Sequence, residues 1–463
     1  MYVVAARYGS GVVGWAATPV ESTDPGVEVG EVADSCRSRA GPVAWAVADR
    51  RCGGYNLWML SPKVRKVALL VPAMTYRATD FLAAARSLDI EVLVVSDERL
   101  VMAGDTLLSP LDPEAANRVV AELSGRGVDA VVAVEGRGQV LAAAVGQRLG
   151  VGHQDPTAVA RSMDKYSTRT ALAEAGISQP QFELVAPGQT YSGSWWPVIM
   201  KPLDRSGGQG VVLARTPAEA EHALARIRAI IGSDAPVLAE AFVEGPEVAI
   251  EGLLTRGSLH VLAIFDKPGQ IDGPTFPETM LVTPSRLAPN LAELAVAAAT
   301  DACAAIGLRE GPVHIEIRID EMARRADLIE LNPRSIGGLC SRTLRFGPMV
   351  SLEELVLRHA LGWELPTPTT RDASGVLMIP VTESGVLHDV AGVARARAVP
   401  GVEDVVITAA RGSRLVALPE GGDQYLGFVF VRGDTPDEVE TALTRAWSHL
   451  VVRLHPVTGN ERQ

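Results

Sequence analysis

Two neighbouring runs decide the fold: VHIEIRID at residues 313–320 and DLIELNPRSIGG at 327–338, joined by the short polar stretch EMARRA. Each run has the composition and alternation of a β-strand, and the short connector predicts an antiparallel hairpin. Side chains alternate faces along a strand, so His314, Glu316 and Arg318 share one face of the first run, and Glu330, Asn332 and Arg334 share one face near the end of the second. Two carboxylates and an amide oxygen can then converge. Magnesium is a hard cation that takes oxygen ligands in octahedral geometry, usually one or two carboxylates plus substrate phosphates, and Glu316, Glu330 and Asn332 are the candidate ligands. The competing reading is an ordinary solvated face, with Arg318 and Arg334 as its counter-charges. The run NPRSIGG at 332–338 weighs against it. Asn-Pro ends the strand abruptly, and paired glycines let backbone approach a ligand closely, which a merely solvated hairpin does not require.

Upstream, WPVIMKPLDRSGGQGVVLA at 196–214 carries Lys201 at the end of a strand, then a glycine-rich loop, then another strand. Backbone amides of Ser206, Gly207, Gly208 and Gly210 can close over phosphate oxygens without side-chain obstruction, while Lys201 supplies an ammonium. A plain glycine hairpin would account for the same residues. Between these two features, APVLAEAFVEGPEVAIEGLL at 235–254 reads as strand, hinge, strand, with Glu247 and Glu251 on the second strand. Such a hinge can read an adenine edge through its backbone, and a carboxylate just beyond can bond both ribose hydroxyls. Basic charge is carried overwhelmingly by arginine: the lysines are Lys63, Lys66, Lys165, Lys201 and Lys267, so each draws interest.

Further upstream, KVALLVPA, IEVLVVSDE and DAVVAVEGRG alternate with helical runs between residues 66 and 150, the pattern of a parallel, doubly wound sheet. The loop VPAMTYRATD after the first strand lacks GxGxxG, which weighs against the dinucleotide reading. Residues 1–62 read as short strands and turns of unknown role. The last hundred residues or so read as a small α+β lobe ending in one helix.

With 463 residues, several domains are expected at roughly 150 residues each. A formal charge of -12, without a Lys/Arg block, argues against nucleic acid as a partner. Cys36, Cys52, Cys303 and Cys340 show no CxxC or disulfide-like spacing, and no run is long enough for a membrane helix, so a cytoplasmic protein without membrane partner is expected.

Taken in order, these pieces resemble the ATP-grasp superfamily over residues 63–450. The resemblance implies an ATP-grasp fold of α/β and α+β domains. It comprises an N-terminal extension (1–62), a parallel α/β pre-ATP-grasp domain (63–160), the ATP-grasp domain (161–370) and a C-terminal α+β lobe (371–463). It implies ATP with magnesium, or with manganese in its place. Lys165 and Lys201 would lie on the phosphates, Glu240, Ala241, Phe242 and Val243 at the adenine hinge, and Glu247 on the ribose. Arg334 would steady the transferred phosphoryl group or the acyl phosphate. DKPGQIDGPTFPETMLVTPS at 266–285 and IELNPRSIGG are similar to the L-amino acid ligase and carnosine-synthase-like branch of carboxylate-amine ligases. That branch often has Gly-His after an acidic residue here; this chain has Glu278, Thr279, Met280, Leu281, which leaves amine recognition open. The expected activity is joining a carboxylate to an amine through an acyl phosphate, with Glu278 or His314 as candidate base and amino-acid-like small molecules as substrates. A homodimer is compatible with this reading. A biotin carboxylase would continue with Gln-Val-Glu-His where this chain has SIGGLCSR. A purine-pathway ligase would run the same chemistry on a phosphoribosyl substrate, and a non-catalytic ATP-binding scaffold would bind the nucleotide without turnover.

Overall fold

The computed structural model describes residues 64–456, apart from 104–105, 153, 270–272, 348, 367–371 and 423, together with four short strands before residue 61. The chain divides into two compact units, Met1–Arg65 and Lys66–Gln463. In the first, β1 (Tyr2–Ala6), β2 (Trp15–Pro19), β3 (Trp45–Ala48) and β4 (Trp58–Leu60) form an antiparallel sheet in the order β2-β1-β3-β4.

The second unit begins with alternating strands and helices: β5 (Lys66–Leu70), α1 (Ala78–Ser87), β6 (Glu91–Ser96), β7 (Thr106–Leu108), α2 (Ala116–Leu123), β8 (Ala130–Ala133) and α3 (Gln139–Leu149). The strands are parallel in the order β7-β6-β5-β8. Alternate residues of β5 explain the two-sided covering: Val67 and Leu69 pack in one core with Phe81 of α1, while Ala68 and Leu70 pack in another with Val119 of α2 and Leu141 of α3. The strand order reverses between β5 and β8, so loops 71–77 and 134–138 flank a crevice at the carboxyl ends of the strands.

Helices α4 (Pro156–Met163) and α5 (Lys165–Glu174) follow, the second capped by the Asp164 carboxylate on the Ser167 N–H. A small antiparallel sheet, β11-β10-β12-β9, is built from β9 (Phe182–Val185), β10 (Val198–Lys201), β11 (Val212–Ala214) and β12 (Val237–Ala241), with α6 (Pro217–Ile231) on it. Then come β13 (Glu247–Thr255), β14 (Ser258–Asp266), β15 (Met280–Thr283), α7 (Pro289–Ile306), β16 (Gly311–Asp320), β17 (Arg325–Asn332) and α8 (Leu352–Ala360). The chain closes with β18 (Ala373–Ile379), β19 (Gly385–Ala391), α9 (Val393–Arg397), β20 (Val402–Ile407), β21 (Arg414–Leu415), β22 (Gly427–Gly433), α10 (Pro436–His449) and β23 (Val451–His455).

The eight-stranded sheet runs β17-β16-β13-β14-β15-β18-β22-β20. Within the expected α+β lobe at 371–463, β18, β22 and β20 extend the central sheet, and β21-β19-β23 form their own. The reason is the edge of β15, whose backbone pairs with β18 from Met280↔Leu377 to Thr283↔Ser374 instead of facing solvent. The hairpin expected from residues 313–338 is β16 and β17, with Glu316 opposite Glu330 and His314 opposite Asn332. Among the described residues no helix is long and apolar enough to cross a membrane.

Candidate functional site

One cleft lies between the small sheet and the central sheet. Its walls include Lys165, Lys201, Gly207, Gly208, Glu240, Ala241, Phe242, Val243, Glu247, Glu278, Glu316 and Glu330. Its apolar lining comes from Ile199, Val211, Phe242, Phe276 and Ile329.

Cations dominate the end nearer the small sheet. Lys201, the last residue of β10, is buried and lies 2.7 Å from Glu240 Oε2, while Arg169 Nε of α5 takes Glu240 Oε1 at 2.7 Å. Arg169 also donates to the carbonyls of Leu328 and Ile329 at 2.9 and 2.6 Å, fixing α5 to β17. Burial alone would raise the Glu240 pKa, but the two cations bring it down to about 2. Burial lowers the Lys201 pKa, with Glu240 opposing the shift. The expectation for Glu240 changes here: its side chain neutralises Lys201 and Arg169, and only backbone of the hinge is left for a base. In that hinge the Ala241 and Phe242 N–H groups already donate to Gln181 O and Pro197 O, at 2.8 and 3.0 Å. Lys165, the first residue of α5, lies 3.2 Å from Glu330 Oε1 and donates to Arg205 O at 2.6 Å.

The glycine loop has positive φ at Gly207, Gly208 and Gly210 (60°, 74° and 71°). A Cβ at Gly208 would stand 2.9 Å from Phe276 O, so glycine is required for that approach. Gly207 and Gly208 line the cleft, but Gly210 departs from the phosphate role expected of it. Its N–H donates to Pro419 O at 2.8 Å, and a Cβ there would meet Pro202 at 2.7 Å. It shapes the loop and ties it to the 415–422 segment. Ser206 is not among the lining residues; its carbonyl accepts the Gln209 N–H at 3.2 Å.

Carboxylates dominate the other end, around one cation. Lys267 Nζ lies 2.5 Å from Glu247 Oε1, 3.1 Å from Glu316 Oε1 and 3.7 Å from Glu278 Oε1. Burial works against the charge of Lys267, but Glu247 and Glu316 overcome it and raise its pKa well above the usual lysine range. The rarity of lysine in an arginine-rich chain is the one sequence signal that points to Lys267. Burial also works against ionisation of Glu316, yet Lys267 and His314 hold its carboxyl well below the usual range. Arg318 Nε takes Glu247 Oε2 at 2.9 Å and its guanidinium stands 5.0 Å over the Phe242 ring. The solvated-face reading fails on this geometry, because Glu316 is buried and Arg318 belongs to Glu247. Desolvation inside the cleft raises Glu278 to about 7; Lys267 pulls the other way and Glu316 adds to the rise. Tyr425 OH donates to Glu278 Oε2 at 3.4 Å.

His314 sits behind Glu316, outside the cleft lining, with Nδ1 3.1 Å from Glu251 Oε2 and Nε2 3.6 Å from Glu316 Oε1. Burial would lower its pKa, but the two carboxylates raise it to about 9, so at neutral pH it already carries its proton. Asn332 ends β17 two positions beyond Glu330, and neither it nor Arg334 is among the lining residues. Arg334 Nη1 donates to Ser335 O at 3.1 Å, and a Cβ on Gly136 would lie 3.7 Å from Arg334 Nε. The arginine thus meets the β8 loop at the crevice of the α/β layer. The Cys340 thiol is buried and pushed up by burial, which leaves it unsuited to nucleophilic attack.

The donor set can be tested against a divalent cation. Among the described residues no three acidic, imidazole or thiolate groups gather as a metal cluster. What is present is two carboxylates directly opposite each other in the hairpin, with a β-bulge after Glu316, and an amide further along. Two hard oxygen donors with the remaining positions left to phosphate and water suit magnesium.

Residues 194–343 match the ATP-grasp domain and residues 377–455 match L-amino acid ligase C-terminal domain 2. An uncharacterized protein of Sinorhizobium fredii is 26% identical over 417 residues, covering 86% of this chain and 85% of that one. Alanine–anticapsin ligase of Bacillus amyloliquefaciens is 29% identical over 216 residues, 41% of this chain and 45% of the ligase, so that match spans less than half the relative's length. The crystal structure of L-amino acid ligase from Bacillus licheniformis superposes with a TM-score of 0.74 at 24% identity, over 84% of this chain and 99% of that one. The chain carries an ATP-grasp domain followed by an L-amino acid ligase C-terminal domain.

Proposed function

We propose that this ATP-grasp chain is an ATP-dependent carboxylate-amine ligase, forming an amide or peptide bond between amino-acid-like substrates and releasing ADP and phosphate. The observation that carries the reading is the charge arrangement of the cleft: Lys165, Lys201 and Glu240 at one end, and Glu247, Glu316 and Lys267 at the other. The apolar walls Ile199, Phe242 and Ile329 take the adenine, the hinge backbone from the Phe242 carbonyl to the Val243 N–H reads its edge, and Glu247 accepts the ribose hydroxyls. Gly207 and Gly208 cover the phosphates while Lys165, Lys201 and Lys267 neutralise them.

Glu316 and Glu330, with Asn332, would hold magnesium or manganese, which when bound neutralises charge developing on the phosphoryl oxygens. The substrate carboxylate attacks the γ-phosphorus, the bond to ADP breaks, and Arg334 steadies the acyl phosphate from the crevice between β8 and the 334–338 loop. The second substrate's amine then attacks the acyl carbon and phosphate leaves. Glu278, facing the cleft with a carboxyl near neutrality, takes the amine proton. His314, already protonated behind Glu316, orients that carboxylate.

The test is incubation with ATP, magnesium and pooled carboxylates and amines, with products read by mass spectrometry. Condensation products appearing one for one with ADP are expected. Absence of ADP release with every pair would falsify the assignment.

A further inference from the structure

Two buried charges take no part in the chemistry above, and both reach the same dipeptide. Glu251 of β13 is fully enclosed and accepts the Ile336 N–H on both carboxylate oxygens at 3.1 Å, while Oε2 also meets His314 Nδ1 at 3.1 Å. Arg77, at the start of α1, is 1% exposed. It donates to Ser335 Oγ at 2.6 Å, to Ser335 O at 3.3 Å and to Val134 O at 2.8 Å. Ser335 and Ile336 directly follow Arg334, and His314 stands two positions before Glu316.

Resting on the ligase reading, we propose that Glu251 and Arg77 are positioning residues, holding the Arg334 loop from two sides, with Glu251 also aiming Glu316 through His314. The opposed grips explain why so much buried charge is placed beside a single loop. A carboxylate receiving a backbone N–H and an imidazole fixes both at once, linking β16 to the segment after β17. The guanidinium fork, bonded at once to Val134 and Ser335, sets the distance between the β8 loop and Arg334. The α/β layer thereby contributes to the geometry of the phosphoryl end without touching substrate. Such groups act on alignment, to which catalysis is steeply sensitive. A merely structural role would instead lower stability, nucleotide binding and turnover together.

The experiment uses the full chain and the variants Glu251→Ala, Glu251→Gln and Ser335→Ala. Melting is measured with ADP in a chelator and with ADP plus Mg2+, alongside steady-state kinetics. For Glu251→Ala the shift given by ADP alone should persist, the added increment from Mg2+ should fall by roughly half or more, and kcat should drop about 30- to 100-fold with the ATP KM within about two-fold. Glu251→Gln keeps the volume and an acceptor for Ile336 N–H, so it should recover part of both losses; it also carries the test where the truncation unfolds the chain. Ser335→Ala removes one arm of the Arg77 grip and should lower kcat about 10-fold with the Mg2+ increment intact.

An unchanged Mg2+ increment in the Glu251 variants overturns the proposal. So does loss of the ADP shift in step with that increment, or a wild-type ADP response that ignores Mg2+. A wild-type chain that responds to ADP and Mg2+ yet joins no substrates defeats the ligase assignment instead, while the melting series still judges Glu251.

Discussion

The two ends of the cleft are charge inversions of each other. Near the small sheet, Lys201 and Arg169 close on the single carboxylate of Glu240; near the central sheet, Glu247, Glu278 and Glu316 close on the single ammonium of Lys267. A buried charge is tolerable only when paired, so each cluster needs its central counter-ion. The cation-rich end keeps surplus positive charge and suits a polyphosphate. The carboxylate-rich end sets Glu316 opposite Glu330, a pair of hard oxygen donors that suits a divalent cation. The contrast predicts that removing a charge at either end has different consequences with and without metal.

Glu330→Gln tests the contrast most severely. Glu330 faces Glu316 across the hairpin and Lys165 across the cleft, so its charge serves both ends. Turnover should fall by about three orders of magnitude, read as ADP release, with melting altered by only a few degrees. Retention of full turnover removes the hairpin carboxylates from the proposed metal site. Lys267→Met comes next. It leaves Glu247 and Glu316 without their ammonium, and the metal-free protein should lose roughly 3 kcal/mol. Mg2+ should restore more stability to this variant than to the wild type, because it supplies the missing charge at Glu316. An equal response in both proteins would mean that lysine and metal do not share that carboxylate.

Glu240→Gln probes the opposite end, where no metal is involved. Its carboxyl has a pKa of about 2 in the fold, against the ordinary 4.5. A depressed carboxyl contributes stability that is complete above the ordinary value and is lost as pH falls through the folded one. The variant should therefore be less stable than wild type by about 3 kcal/mol at neutral pH, and the gap should close between about pH 4.5 and about pH 2. Denaturant unfolding at several pH values reads this directly. A gap independent of pH would mean that the loss reflects packing rather than charge.

The same contrast explains what the sequence made legible. The hairpin, with Glu316 and Glu330, could be read because period-two alternation is a local rule and the pair lies close in the chain. The parallel layer could be read because its strands are short apolar runs between helical ones. The partners Arg169–Glu240 and Glu247–Lys267 could not, since each pair is joined by folding across different elements and no spacing encodes it. Glu240 illustrates the limit: the resemblance located it at the hinge, but which way its side chain turns depends on α5. The tethers made by Glu251 and Arg77 were invisible for the same reason, with partners 85 and 258 residues away. The continuation of the central sheet into the C-terminal segment depended on pairing between β15 and β18, which local patterns do not specify.

The smallest effect concerns the glycine loop over the cation-rich end. It is tied to the C-terminal segment by the Gly210 N–H on Pro419 O, by Gln209 Nε2 on Glu420 O at 2.9 Å, and by the two-pronged pairing of Arg226 with Glu420 at 2.8 and 2.9 Å. Both charged side chains are about half exposed, so the ion pair itself contributes on the order of 0.5 kcal/mol, and less as salt rises. Arg226→Glu or Glu420→Arg alone places like charges together and should raise the ATP KM by about two- to three-fold with kcat unchanged. The double exchange should return KM to the wild-type value, and the effect of the single changes should fade as ionic strength is raised. If the double exchange fails to rescue while both variants fold, the loop is held by its backbone bonds alone, and the covering of the cation-rich end owes nothing to surface charge.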